Sequence, residues 1–354
     1  MTRTLKIKTK NIANGWQQYT LSNDQGMKVR FLNYGGIITD IIVPDRAGNM
    51  ENVVLAYKDL GDYENNPNYF GALIGRVSGR IEGASFEIDG TPYTLEENDG
   101  DNHLHGGSQG FHQIIWRAKP FETDEHVGVA LSHSSADGDS GYPGQLDVTI
   151  RYTLSNQNEF TITYEATTTE KTPVSLTNHS YFNLSGDAKR TVGDHEVTMN
   201  SEQVIELDKH LIPTGRLLDV KDTTFDFEKG RQLKTGLSDH LDQHVYADNG
   251  YDHYFLFNKD ETGNIMVKDD TSGRTLSVKT DQPGLVMYTG NMLDETLSLS
   301  SGPSSKHLGV CLETQTSSAG LHHQNLPSLM LNPDETYHTE TTFTFGTDKD
   351  KNQP

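Results

Sequence analysis

The sequence is poor in cysteine and has no long apolar run. Cys311 is the single cysteine among 354 residues, so no intrachain disulfide can form. No stretch approaches the roughly 18 apolar residues that a membrane-spanning helix needs. The N-terminal stretch MTRTLKIKTKNIANGW has scattered charges where a secretory signal would have an apolar segment. These absences predict a soluble, reduced, cytoplasmic protein that is long enough to bury a sizeable hydrophobic core.

Positive charge is also scarce. The chain has 29 Lys and Arg against 50 Asp and Glu, a formal net charge of −21. Such a surface repels phosphate backbones and anionic lipid headgroups, so neither nucleic acid nor a membrane is expected as a partner. Nucleotide motifs are missing too: the glycines of GALIGRVSGR, at four-residue spacing, match neither a dinucleotide fingerprint nor a phosphate loop. The sequence therefore disfavours phosphoryl and hydride transfer, and no cofactor is predicted.

What the chain does have is apolar and polar residues that alternate with a period of two. QLDVTIRYTLS and FTITYEA, separated by polar residues, predict a hairpin. SFEIDGTPYTL predicts another around Asp89-Gly90, a dipeptide that suits a type I′ turn. NIMVKDDTSGRTLSVKT predicts a third, and further strands are expected in MKVRFLNYGGIITDIIVP and in TYHTETTFTFG, which would close the structure.

Helical periodicity is weak, with short pieces conceivable near 57–66 and 231–239. The predicted fold is therefore all-β: a large antiparallel β-sandwich with few short helices. Nothing in the composition divides the chain. We expect one domain over residues 1–345 and a polar C-terminal tail over 346–354, which has no apolar residue to anchor it.

The stretch NHLHGG raises the question of a metal site. On a strand, His103 and His105 would point the same way and could share an ion. No acidic residue follows within the next few positions, and His322 and His323 are adjacent, so they would face opposite sides of a strand. Solvated or hydrogen-bonded histidines are the simpler interpretation, and no metal site is predicted.

The stretch VSLTNHSYFNL, residues 174–184, places one histidine in a predicted strand. One face of that strand would be polar almost throughout, with His179 at its centre and Tyr181 beside it. His179 is then either a core histidine satisfied by its neighbours or a group that carries a proton.

A second stretch, GVCLETQT, places Glu313 between apolar strand residues. A carboxylate is costly to bury without a partner, although Glu313 could also lie on the surface. Asp252, before the apolar run of NGYDHYFLF, is a third candidate or else a turn residue. A carboxylate base and an imidazole acid suffice to move protons on a neutral polyol. Cys311 has no setting that would lower its pKa and is expected to pack inertly.

Taken together, several segments resemble the aldose 1-epimerase (galactose mutarotase) family over about residues 30 to 345. The resemblance implies a large antiparallel β-sandwich with the sugar in a cleft over one sheet and no metal. It also implies interconversion of the α and β anomers of free aldoses such as galactose and glucose. The segments that carry it, in chain order, are NYGGIITDIIVPDRAGN, YFGALIGRVSGRI, NHLHGG, SLTNHSYFNLSG, IPTGRLLDV, YDHYF, PGLVMYTGN and LETQ.

Matched residue by residue, the resemblance makes Glu313 the general base and His179 the general acid. His105 is the second active-site histidine, and Asp252 and Arg80 bind the sugar. We also expect a neighbouring carboxylate, Asp252 or Glu313 itself, to keep His179 charged at neutral pH.

Further sugar-binding positions are Tyr181, Gly79 and Val286, and at two of them this chain departs from the family. Relatives often have Asn where this chain has Gly79, and many have Gln where it has Val286. These changes leave the preferred aldose open.

Several alternatives also remain open. A hexose-6-phosphate epimerase would use Arg76 and Arg80 for the phosphate, and a non-catalytic carbohydrate-binding protein could share the fold. A glycoside hydrolase could use Glu313 and Asp252 as its carboxylate pair. The expected partner is a small-molecule sugar, and the chain is expected to be a monomer or a homodimer.

Overall fold

The computed structural model describes residues 5–258 and 263–349, and strands dominate it. The strand ladders are antiparallel throughout these residues, which confirms the predicted all-β class. The largest sheet has nine strands, in the order Arg117–Glu122, His126–Ser135, Leu146–Ser155, Glu159–Thr168, Tyr337–Thr347, Arg274–Thr280, Gly263–Lys268, Glu196–Met199 and Arg231–Gln232.

A second sheet of six strands faces the nine-stranded sheet. Its order is Tyr181–Phe182, Val310–Thr314, Gly284–Tyr288, Asp252–Leu256, Gln203–Leu207 and Pro213–Asp219. A third sheet of five strands is built from the N-terminal part of the chain, with the strands Lys6–Asn11, Gln17–Ser22, Lys28–Leu32, Ile38–Pro44 and Met50–Asn52 in sequential order.

Short two-stranded ladders and single helical turns make up the rest of the regular structure. The ladders pair Ser85–Ile88 with Thr91–Thr94, His103–Leu104 with Arg80–Ile81, Thr172–Pro173 with Met330–Leu331, Thr177–Asn178 with Leu73–Ile74, and Ser298–Leu299 with Gly302–Pro303. The α-helices are Lys234–Leu237 and Asp242–Tyr246; the 3-10 turns are Ala13–Gly15, Leu60–Glu64, Glu82–Ala84, Phe111–Gln113, Asp139–Gly141, Val192–Asp194 and Ser318–Leu321. Within the described residues, no helix has the length and apolar character needed to cross a membrane.

The predicted hairpins are confirmed. The strand Leu146–Ser155 pairs along nearly its whole length with Glu159–Thr168. At the tip of the Ser85–Thr94 hairpin, Asp89 and Gly90 both have positive φ, 51° and 84°, as a type I′ turn requires. The closing strand runs to Thr347; residues 350–354 of the predicted tail lie outside the described residues.

The main core lies between the six- and nine-stranded sheets. Because side chains alternate along a strand, Val310 and Leu312 of the strand Val310–Thr314 point into this core. Phe182, on the neighbouring strand, packs against Phe343 of the large sheet with ring centroids 5.4 Å apart. The opposite face of the same strand presents Cys311 and Glu313, so the packed sheet acts as a rigid floor beneath them.

The segment 174–184 is not one continuous strand, so that prediction is wrong. It forms two separate ladders, Thr177–Asn178 against Leu73–Ile74 and Tyr181–Phe182 against residues 310–311. The segment therefore crosses from one sheet to another, and residues on both of its faces are buried.

The Asn178 side chain explains the break in the ladder. Its Oδ1 accepts hydrogen bonds from the Ser180 N–H and hydroxyl, and its Nδ2 donates to the Gly71 carbonyl at 2.8 Å. Local side-chain bonds of this kind compete with strand pairing. The next residue, His179, is then held by two backbone hydrogen bonds, to Ala72 O at 2.9 Å and from Gly71 N at 3.0 Å.

The buried Arg76 side chain links the region around His179 to the large sheet through hydrogen bonds. Its side chain is 2 % exposed, and its guanidinium donates to four backbone carbonyls, of residues 135, 136, 143 and 144. Its Nε donates to the Ser135 hydroxyl at 3.0 Å. Burial lowers the pKa of Arg76, but the ring of carbonyl acceptors compensates for much of that cost.

Replacing Arg76 with Met should therefore destabilise the fold. Arg76→Met keeps most of the side-chain volume but leaves these carbonyls without donors, so we expect a loss of about 2 kcal/mol in the free energy of unfolding. Chemical denaturation would measure it, with the exposed Arg117→Met as the matched control, which should change stability by less than about 0.5 kcal/mol. Equal stability of the two variants would contradict the structural role of Arg76.

Candidate active site

A cleft of about 340 Å³ lies over the outer face of the six-stranded sheet. The register places Glu313 beside Val286, and Val286 beside Tyr254, so the floor changes from polar to apolar across three adjacent strands. Every residue predicted for catalysis or sugar binding lines this cleft, including Gly79, Tyr181 and Val286. Their roles remain predictions, but their assembly in one cavity is a property of the fold.

His179 and Glu313 meet at the floor of the cleft. The His179 Nε2 lies 3.5 Å from the Glu313 Oε1, and both side chains are more than nine-tenths buried. The alternative of a surface Glu313 is therefore wrong. Contacts between catalytic groups are often long before the substrate binds, so this separation suits a pair that exchanges a proton.

Burial opposes charge on both members of the pair. It raises the pKa of Glu313 well above its usual value, with the nearby Asp252 carboxyl acting in the same direction. It lowers the pKa of His179 to about 4. The prediction that a neighbouring carboxylate keeps His179 charged is thus wrong. Burial therefore favours the uncharged arrangement of the pair, with a proton on Glu313 and His179 neutral, over the ion pair.

Cys311 lies behind this pair. Its Sγ is 3.6 Å from the His179 Nδ1, the ring nitrogen that does not face Glu313. Burial raises the pKa of the Cys311 thiol well above its usual value, and the Glu313 carboxyl raises it further. The thiol therefore stays neutral and contributes packing, as predicted.

His105 enters the cleft from a turn. Its φ is 53°, outside the strand region, so His103 and His105 do not share one strand face as their spacing suggested. His103 instead bonds the Glu96 carbonyl through Nδ1 at 2.8 Å and packs beside Tyr142. The following Gly106 allows this turn, since a Cβ there would lie 1.9 Å from the Gly75 oxygen.

The tautomer of His105 is fixed by the backbone. The Gly79 N–H donates to its Nδ1 at 3.2 Å, so the proton of the neutral ring is on Nε2. Burial lowers the pKa of His105 well below its usual value, and the neighbouring His179 adds to this effect. His105 is therefore a neutral hydrogen-bond donor, with its ring centroid 5.4 Å from that of His179.

The position of the His105 ring proton also affects whether this site could bind a metal ion. One ligand atom each from His105, His179 and Glu313 lie within 4.8 Å of one another, and two histidines with a glutamate can hold zinc. However, a cleft-facing lone pair on His105 would require its ring proton to move to Nδ1, opposite the Gly79 N–H. The set is thus poorly prepared for an ion, and the absence of a metal site remains a prediction.

Arg80 and Asp252 lie together at one wall of the cleft. The Arg80 Nε donates to Asp99 Oδ2 at 2.7 Å, and its Nη1 is 3.9 Å from Asp252 Oδ2. Asp252 is the first residue of the strand Asp252–Leu256. Burial raises the pKa of Asp252, partly offset by Arg80. The two charged groups offer several hydrogen bonds to hydroxyls while neutralising each other.

Tyr69 and Gln315 are among the cleft residues that the sequence did not predict. The Tyr69 ring packs against His105 and His179, with centroids 4.7 Å and 5.8 Å away. No spacing pattern identifies it, because Tyr69 lies in a loop with a φ of 55°. Gln315 also lines the cleft, and here a signal existed: it follows Glu313 by two residues in an extended segment.

The chain is similar to known proteins over nearly its whole length. The family model described as "Aldose 1-epimerase" matches residues 17–344. The galactose mutarotase of Bos taurus is 40% identical over 332 residues, covering 93% of this chain and 94% of that protein. The maltose epimerase of Levilactobacillus brevis is 33% identical, covering 89% and 90%.

A solved structure shares the fold. The galactose 1-epimerase of Lactobacillus acidophilus superposes with a TM-score of 0.87 at 28% identity, covering 98% of this chain and 99% of that one. The family model spans most of the chain, and several relatives exceed 30% identity over nearly its whole length. The chain belongs to the aldose 1-epimerase family.

Proposed function

We propose that this protein is an aldose 1-epimerase, or mutarotase. It interconverts the α and β anomers of free aldohexoses such as galactose and glucose by acid–base ring opening and reclosure. The observation that carries the proposal is the buried contact between His179 and Glu313, 3.5 Å apart in a cleft lined with hydrogen-bonding groups.

The chemistry requires a pair that holds one proton. Burial favours the form in which this proton is on Glu313 and His179 is neutral. A bound aldose offers its anomeric O–H as a donor to the carboxylate, and its ring oxygen as an acceptor for the imidazolium. Both hydrogen bonds favour the charged forms, so substrate binding draws the proton from Glu313 to His179.

Ring opening then follows. Glu313 takes the proton from the anomeric hydroxyl, and the electron pair forms the carbonyl at C1. The bond between C1 and the ring oxygen O5 breaks, and His179 gives its proton to O5. His105, through its Nε2–H, and Arg80 hold the sugar hydroxyls in place, and this orientation adds to the rate.

Reclosure uses the same groups in reverse. The aldehyde turns about the C1–C2 bond and presents its other face to O5. As O5 attacks C1, neutral His179 takes the O5 proton and Glu313 returns a proton to the carbonyl oxygen. The pair ends with the one proton it began with, so the cycle needs no cofactor and no external acid or base.

The substrates, the cellular location, the domain bounds and the assembly are also proposals. Free galactose and glucose are the proposed substrates, as galactose mutarotases stand among the relatives. A cytoplasmic location is supported by the single buried thiol, which suits a reducing compartment. The family match over 17–344 supports one domain over residues 1–345. A monomer or a homodimer remains the proposed assembly.

Removing either member of the pair should nearly abolish catalysis. We expect Glu313→Gln and His179→Asn each to lower kcat by about 10²–10⁴-fold, the usual contribution of one positioned acid or base. Polarimetry of freshly dissolved α-D-glucose and α-D-galactose, corrected for the uncatalysed rate, would measure this.

The chain contains a matched control for these variants. On the outer face of the large sheet, the His338 Nδ1 lies 3.6 Å from the Glu165 Oε1, an exposed pair of the same chemistry. Glu165→Gln and His338→Asn should leave the rate unchanged. If Glu313→Gln and His179→Asn stayed folded and fully active, the proton-pair mechanism would be wrong.

The rate should depend on pH in a bell shape. The one-proton pair is the active form. Below the His179 pKa of about 4, a second proton removes the base, so kcat/KM falls as pH decreases towards that value. Above the raised pKa of Glu313, the last proton leaves and no acid remains, so kcat/KM falls again. Initial rates across pH, with circular dichroism to monitor folding, would test this; a flat profile through pH 4 would contradict it.

Free aldoses should be preferred over their 6-phosphates. Arg80 is the one Lys or Arg that lines the described cleft, and it is already bound to Asp99, while Arg76 is buried within the fold. The carboxyls of Asp99 and Asp252 repel a dianion. We expect kcat/KM for glucose to exceed that for glucose 6-phosphate by about 10-fold or more. Polarimetry of both sugars measures this ratio. A preference for glucose 6-phosphate would favour the hexose-6-phosphate epimerase.

A further inference from the structure

The Gln315 side chain has hydrogen-bonding capacity that the protein does not use. It lines the cleft and is 1 % exposed. Its Oε1 is buried without a hydrogen-bond partner. A buried acceptor without a partner costs about 1–3 kcal/mol, so native proteins rarely keep one without a reason.

The backbone of Gln315 is firmly placed. Its N–H donates to the Gly284 carbonyl at 3.1 Å, and its carbonyl accepts the Tyr254 hydroxyl at 2.9 Å. These bonds fix the residue at the end of the strand that carries Glu313, on the same face. The backbone of Gln315 is therefore already ordered beside the catalytic carboxyl. Binding of a ligand would cost little entropy for ordering this segment.

The amide of Gln315 faces the space above Gly79. A Cβ at Gly79 would lie 3.7 Å from the Gln315 Nε2 and 3.1 Å from the Ser318 Oγ. The Ser318 hydroxyl already donates to the Arg80 carbonyl at 2.5 Å. Since residue 79 has no side chain, the Gln315 Nε2 is close enough to bond a hydroxyl placed in this part of the cleft.

Gln282, the other glutamine near the cleft, has its side-chain amide already hydrogen-bonded within the protein. Its Nε2 donates to the hydroxyls of Tyr337 and Thr339, each at 3.1 Å, and its Oε1 accepts the Thr316 hydroxyl at 3.4 Å. Gln282 thus holds the scaffold together, while the Gln315 Nε2 lies beside the space that is open at Gly79.

We propose that Gln315 determines substrate specificity by donating a hydrogen bond from its Nε2 to one hydroxyl of the aldose, in the space that Gly79 leaves open. The inference rests on the proposed function, since its ligand is the mutarotase substrate. It adds a sugar-contacting group in the part of the cleft where residue 79 has no side chain. A site built to bond a hydroxyl rejects analogues that lack it, because its buried polar group is then unpaired.

A panel of deoxy sugars tests the proposal. The wild type, Gln315→Met and Gln315→Glu would be assayed by polarimetry on glucose, galactose and the 2-, 3-, 4- and 6-deoxy forms of glucose. We expect the wild type to lose about 10-fold in kcat/KM on one deoxy sugar beyond its losses on the others. Gln315→Met should lose about 10-fold on glucose, mainly through KM, and lose nothing further on that deoxy sugar. Gln315→Glu keeps the shape of the side chain but has no N–H to donate, so it should lose the selectivity as Gln315→Met does.

The control is Gln282→Met, which removes the other buried glutamine. It should lower the Tm without changing the order of preference among the sugars. Uniform loss by Gln315→Met on all sugars, or activity within twofold of the wild type on glucose, would overturn the inference while leaving the mutarotase function intact. A wild type that does not accelerate mutarotation of any sugar in the panel would overturn both proposals.

Discussion

The contact between His179 and Glu313 is the constraint on which the rest of this structure depends. Both groups lie out of water, where an ion is costly and a shared proton is the favourable arrangement. Burial raises the pKa of Glu313 and lowers that of His179, so it favours the uncharged form of both groups. His338 and Glu165 are the same two groups on the exposed face of the large sheet, where water screens the interaction between them.

Placing such a pair requires two different supports. Glu313 lies on a regular strand whose other face is packed into the main core, so its position follows from the sheet. His179 lies between two short ladders, where Asn178 bends the chain and residues 71 and 72 hold its backbone. Arg76 ties the same region to the large sheet through backbone carbonyls. The site is thus rigid at its floor and held by hydrogen bonds at its walls.

Much of the fold was readable from the sequence, because strand periodicity and turn chemistry are local. The hairpin through Asp89 and Gly90 needed only its two turn residues and the alternation around them. Two predictions based on strand alternation are wrong, and in both cases other interactions overrode the local pattern. The segment 174–184 alternates like a strand, yet Asn178 bonds the backbone in place of a ladder partner. His103 and His105 have strand spacing, yet a left-handed turn at His105 separates them.

The sequence by itself determined the fold class, the residue types of the site and the family resemblance, since these depend on local pattern and on motifs in order. The sequence showed that Glu313 is a carboxylate between apolar strand residues, but it did not show which group Glu313 contacts. Only the tertiary structure brought His179 to it across 134 positions, fixed the proton of His105 on Nε2 through Gly79, and left Gln315 with an unpaired oxygen. The reason is physical: desolvation and hydrogen-bond partnership are set by atoms distant in the chain, and no local pattern encodes them.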